Sequence, residues 1–126
     1  MSISVRGRIT VHPRGFGFLA IEGSTASSAF ITPPDLNPFL DGDLVNARVT
    51  EADGGRLSAS DLALVQRPRT ELFGSVTVRG RKPHLRVDRL VANTDRPLDE
   101  ASAAGTAAGT YLVAAIKGAA LVPVRV

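Results

Sequence analysis

Phe16 and Phe18 stand at alternate positions in HPRGFGFLAIE, residues 12–22, each preceded by a glycine and with Arg14 just ahead of them. The chain has only five phenylalanines, one tyrosine and no tryptophan, so two rings so close together ask for a reason. Alternate residues of an extended strand share a face, which sends the two rings one way and Gly15 and Gly17 the other. Phe30 in SAFIT, on the expected neighbouring strand, adds a third ring. Such a patch stacks nucleobases with little regard to sequence, and an arginine beside it holds the phosphate between them. The competing reading is a strand whose rings fill a core. Glycines would then have no evident purpose on the outside, whereas beneath outward rings they let the strand coil tightly over the barrel.

No other constellation offers chemistry. The absence of cysteine excludes disulfides, iron–sulfur clusters and thiolate zinc sites. His12 and His84 are too far apart in sequence to suggest a metal cage. Asp41 and Asp43 in LDGDL read as turn and capping residues. There is no nucleophile–base signature, and VRGRKPH lacks the spacing of a phosphate loop. The chain is therefore read as non-enzymatic, with no catalytic residue, metal or cofactor. MSISVRGRIT lacks the apolar centre of a secretory leader, and the most apolar run, TYLVAAIKGAALVPV, is interrupted by Lys117, Gly118 and Pro123. A cytoplasmic protein without a membrane segment is expected.

Charge is divided unevenly. Residues 1–66 carry 5 basic and 7 acidic side chains, and residues 67–126 carry 10 and 5. Within the second part, Arg67, Arg69, Arg79, Arg81, Lys82, Arg86 and Arg89 face only Glu71 and Asp88, a local basic stretch suited to phosphates. The plain alternative is a solvated loop that aids solubility.

The elements that must position these residues read as short strands. VRGRITVH and RGFGFLAIE alternate, AFIT stops at Pro33 and Pro34, and DLNPFLDGD is turn chemistry. LVNARVTEA and RLSASDLALVQR follow around an Asp53-Gly54-Gly55 turn. Five short strands in about 66 residues suit a small antiparallel barrel. At an offset of 67 the second part repeats the first: Gly7 with Gly74, Thr10 with Thr77, Val11 with Val78, Arg14 with Arg81, Gly42 with Gly109, Val45 with Leu112. Two copies of one fold follow, residues 1–67 and 68–126, with RPRTE as the junction.

The ungapped alignment sets Pro83 and Leu85 where the first copy has Phe16 and Phe18. It also leaves the second copy short of part of its closing strand, unless AALVPVRV shifts to fill it. ASAAGTAAGT reads as a loop ending near Gly109 with one helical turn, its glycines disfavouring a longer helix. Phe39 reads as a packing plug, Phe73 as a contact between barrels and Tyr111, aligned with Leu44, as core.

RGFGFL resembles the first ribonucleoprotein motif of cold-shock domains, AFIT the second, and LDGDLVNARV their fourth strand. Taken together, GRITVHPRGFGF, AFITPPDLNPFLDGDLVNARV and RPRTELFGSV resemble the tandem N-terminal cold-shock domains of RNase II and RNase R exoribonucleases. The likeness is strong over residues 7–76 and weak beyond. Thr32 stands in place of the usual histidine of the second motif, removing one stacking partner. Arg14 replaces a lysine, keeping the charge and adding a planar group. The resemblance implies two oligonucleotide-binding (OB) barrels, the second divergent, feeding RNA to a magnesium-dependent catalytic domain on a longer chain or on a partner.

The expectation is therefore an all-β chain of two tandem OB barrels that binds single-stranded RNA, with single-stranded DNA open as well. Phe16, Phe18 and Phe30 form the platform, with Arg14, Arg8 and His12 as polar contacts. Arg79, Arg81, Lys82 and Arg86 extend the phosphate track. A free-standing cold-shock-type chaperone and a protein-interaction module that docks a partner on the same aromatic patch stand as alternatives.

Overall fold

The computed structural model describes residues 2–23, 28–118 and 120–125. The chain forms two units, residues 1–68 with 89–93, and residues 69–88 with 94–126.

The first unit is a closed barrel of β1 (Ser2–Val11), β2 (Gly17–Ile21), β3 (Ser28–Ile31), β4 (Leu44–Glu51) and β5 (Leu57–Gln66), in the order β1-β2-β3-β5-β4. All neighbours are antiparallel except β3 and β5, which meet in parallel at Phe30 and Ser58. Period-two alternation sends Ile9, Val11, Leu19, Ile31, Val45 and Val49 inward, each buried. Pro33 and Pro34 do end β3, and they also begin a short helix, α1 (Pro33–Leu36), where a missing N–H costs nothing. The helix was not foreseen. It delivers Leu36, fully buried, to the core beside Gly17. A Cβ on Gly17 would lie 3.0 Å from both Leu36 Cδ1 and Thr10 O, so the strand needs glycine for that close approach. Phe39 is the packing plug that was expected, 7% exposed within the same core.

The acidic turn between α1 and β4 is structural. Asp41 Oδ1 accepts from the Val11 amide at 2.9 Å. Asp43, wholly buried, accepts from the Leu40 amide at 2.8 Å and from Arg67 Nη2 and Nε at 2.7 and 3.0 Å. Arg67 also donates to Pro38 O at 3.2 Å. The first arginine of the basic stretch is thus engaged inside the fold, since a buried carboxylate needs a charged, bidentate partner. Residues 89–93 belong with this unit: Val91 O accepts from the Asp41 amide at 2.8 Å, and Asn93 Nδ2 donates to Asn37 Oδ1 at 2.6 Å.

The second unit is a five-stranded sheet of β6 (Glu71–Arg79), β7 (Lys82–Val87), β8 (Arg96–Pro97), β9 (Tyr111–Lys117) and β10 (Ala120–Arg125), ordered β10-β9-β6-β7-β8. The 67-residue offset recurs in its hydrogen bonds. Gly42 N donates to Ile9 O and Gly109 N to Val76 O, both at 2.8 Å. Ile9 N donates to Asp43 O at 2.9 Å and Val76 N to Thr110 O at 2.8 Å. Gly42 and Gly109 share the left-handed region that this turn requires, at φ 91° and 90°.

The β6–β7 hairpin breaks that offset, because it is one residue shorter than β1–β2. Gly7 pairs with Ile21 and Gly74 with Val87; Thr10 pairs with Phe18 and Thr77 with His84. His84, not Leu85, therefore occupies the place of Phe18. Leu85 corresponds to Leu19, and both are fully buried. The closing strand is filled by a shift: β10 pairs with β9, and Leu121 bridges Leu98 in parallel, as Ser58 bridges Phe30. The loop carries the single helical turn, α2 (Glu100–Ala103). Its N-cap Asp99 accepts from Ser102 Oγ at 2.7 Å and Ser102 N at 3.0 Å, which holds its carboxyl below the ordinary range.

Candidate nucleic-acid interface

On the outer face of the first barrel, the strand pairing aligns Thr10, Phe18, Phe30 and Ser58 in one row across β1, β2, β3 and β5. Because Gly17, Leu19, Ala29 and Ile31 take the inward positions, Phe18 and Phe30 must face out, and each is 37% exposed. Their centroids lie 6.1 Å apart with rings nearly perpendicular, at 76°. Phe16 reaches the same patch by a different route from the one expected. It lies in the turn before β2, and Gly15 is a turn residue at φ 100° rather than the back face of a strand. His12 N donates to Phe16 O at 2.8 Å, and Gly15 N to His12 O at 2.9 Å.

This turn stacks the His12 ring on Phe16, at 4.3 Å and 10°. Phe16 in turn contacts Phe18 at 5.7 Å, edge-on, and Phe30 at 5.6 Å, tilted by 34°. The Arg14 amide donates to His12 Nδ1 at 3.2 Å, fixing the ring over Phe16. The Arg14 side chain is exposed. Four rings from one turn and two strands thus form a continuous aromatic surface.

Beside Phe18 and Phe30 runs a groove of about 630 Å³, whose other wall is the β4–β5 connection and the start of β5: Ala52, Gly55, Arg56, Leu57 and Ser58. Arg56 was missed by the sequence reading, which took ADGGRL only as a tight turn. Its signal was available: an arginine directly after a Gly-Gly turn, at the rim of a small barrel whose loops flank the binding face. A flat apolar floor with one cation at its edge suits a base and its phosphate.

Residues 7–65 match the ribonuclease B OB domain family. The match lies within the first barrel. It is to an N-terminal OB domain of the RNase II/R type and not to a catalytic domain. No curated protein matches the chain. The matched barrel brings His12, Phe16, Phe18 and Phe30 together, with the Arg14 backbone among them. Arg8 stands apart: it lies on β1 opposite Ala20, and its Nη1 donates to Gly42 O at 3.0 Å.

The four basic residues of the second unit have different surroundings. Arg79 donates to Asp95 at 3.0 Å, and the Asp95 side chain is only 4% exposed, so Arg79 compensates a buried carboxylate. Lys82 lies 3.9 Å from Glu100 at the surface. Arg81 occupies the tight β6–β7 turn at φ 69°, beside Gly80, and is exposed. Arg86 is exposed on β7 opposite Ser75. Tyr111 is not core: the register that buries Leu112 and Ala114 turns Tyr111 outward, 62% exposed. Phe73 is likewise 63% exposed and stacks on Tyr111 at 5.7 Å. Among the described residues, no group of three or more histidine, aspartate or glutamate side chains could hold a metal, and no helix is long and apolar enough to cross a membrane.

Proposed function

We propose that the ribonuclease B OB domain binds single-stranded RNA on the surface formed by His12, Phe16, Phe18 and Phe30, with Arg14 and Arg56 contacting phosphates at its rim. The observation that supports this most is the outward packing of four rings, centroids 4.3–6.1 Å apart, two of which, Phe18 and Phe30, line a groove with an arginine on its far wall. A barrel needing only a core would not gather its scarce aromatics outside. Binding by stacking is tolerant of sequence, as suits a domain that passes a strand along. Arg8, and Arg81, Lys82 and Arg86 of the second unit, add charge that attracts the backbone. By its kinship, the domain supplies RNA to an exoribonuclease catalytic region, in the same chain or on a partner.

Titration of fluorescein-labelled oligo-U, oligo-A and matched DNA at two salt concentrations tests this reading. Saturable binding to both RNAs, of similar strength and weakened by salt, is the expected result. No binding in low salt refutes it and leaves the aromatic patch as a protein-docking surface.

A further inference from the structure

The second unit has lost the aromatics of the β2–β3 face: His84 stands at the place of Phe18, and Pro97, paired with His84, at that of Phe30. It has gained a pair elsewhere. Phe73 and Tyr111 occupy the outer face of β6 and β9, where the 67-residue offset gives the first barrel Arg6 and Leu44. The two rings lie within 18° of parallel and are more exposed than any other large hydrophobic side chain described. Cross-strand aromatic pairs do support sheets, but such support leaves open why both rings keep more than half their surface in water.

Their neighbours are cationic. Tyr111 pairs with Ser75, which pairs with Arg86; Phe73 pairs with Val113, which pairs with Arg125. Each aromatic therefore shares a row with one arginine. Arg125 bonds Glu71 at 3.1 Å, but both side chains are largely exposed, so a phosphate can displace that carboxylate at little cost. The second unit carries 8 basic and 5 acidic side chains, the first 7 and 7, so the chain's whole excess of positive charge lies here.

We propose that the outer face of β6 and β9 is a second stacking site for single-stranded nucleic acid, with Phe73 and Tyr111 as its platform and Arg86 and Arg125 as phosphate contacts. Flat exposed rings flanked by arginines fit a base with a phosphate on either side better than they fit an apolar partner, which would strand the two cations. The site shares no residue with the platform of the first barrel and stands or falls without it.

The test is built into the composition. Tyr111 is the sole tyrosine and there is no tryptophan, so intrinsic emission reports this site alone. Oligo-U added to the full chain, with inner-filter correction against free tyrosine amide, is expected to quench Tyr111 saturably. The quenching persists in Phe18→Ala, which disables only the first platform. It weakens at least about five-fold in apparent affinity in Phe73→Ser, the loss of one stacking partner. Arg86→Ala, which leaves the ring pair untouched, keeps the quenching but with a shallower salt dependence. Emission that ignores oligo-U at concentrations where labelled oligo-U is bound overturns the proposal and leaves the pair as a protein-docking surface. Quenching that disappears in Phe18→Ala overturns it too, because the tyrosine would then follow the first platform. Quenching retained in Phe18→Ala with unchanged affinity for labelled oligo-U refutes the first platform and supports this site.

Discussion

Replacing Phe18 separates stacking from packing most clearly. The ring is 37% exposed and touches Phe16 at 5.7 Å and Phe30 at 6.1 Å, both near-perpendicular contacts, while the opposite barrel surface is filled by Leu19 and Leu36. If a base stacks on it, Phe18→Ala removes about 1–3 kcal/mol of binding, a loss of roughly five- to 150-fold in affinity. The stability cost is smaller than for a core ring. Burial of about two-thirds of a side chain worth roughly 1.5–3 kcal/mol when fully buried gives about 1–2 kcal/mol, or about 4–16 °C in a barrel of this size. Phe18→Leu refines the comparison, since leucine keeps most of the apolar volume but has no π-face. Anisotropy of labelled oligo-U, read beside thermal unfolding, is expected to show both variants weakened in binding and the leucine variant nearly unchanged in midpoint. Wild-type affinity in both, with an alanine cost of about 3–5 kcal/mol as for a buried phenylalanine, would refute the stacking role.

The basic residues of the second unit divide by their partners. Arg81→Gly keeps the left-handed turn and removes one charge, so it should lower the salt dependence of binding by a slope of about 0.7 with no loss of stability. Arg79→Ala should destabilise instead, because it removes a 3.0 Å charged hydrogen bond to the nearly buried Asp95 carboxylate, and differential scanning calorimetry distinguishes the two. Arg67→Met should cost the first barrel about 3–5 kcal/mol in denaturant unfolding, as expected when a fully buried carboxylate such as Asp43 loses its paired arginine. Gly7→Ala and Gly74→Ala should each destabilise by about 1–3 kcal/mol, since a Cβ would meet Ala20 O at 2.5 Å in one copy and Arg86 O in the other.

The aromatic row was legible because period-two alternation is local: once Gly17 and Leu19 are inward, Phe18 has no choice of face. The 67-residue spacing was legible because its glycines hold matching backbone positions: at Gly7 and Gly74 a Cβ would meet a neighbouring carbonyl, and Gly42 and Gly109 both lie in the left-handed region. What escaped was non-local or depended on one residue of length. A hairpin shortened by one slid Leu85 into the core, and an ungapped comparison of sequences could not see it. Asp43 and Arg67 are 24 positions apart and meet only when the barrel closes. Tyr111 was assigned to the core by analogy with Leu44, whereas its own register turns it out. Arg56 was hidden for a related reason: its neighbours in the groove, Phe18 and Phe30, come from strands far away in sequence.

An amide chemical-shift titration by NMR, with unlabelled oligo-U added to the full chain, tests the central claim most directly. Stacking on the four-ring surface requires the largest perturbations in residues 12–18, 28–31 and 52–58, saturating together with one affinity. Saturable binding with those three segments undisturbed would contradict it.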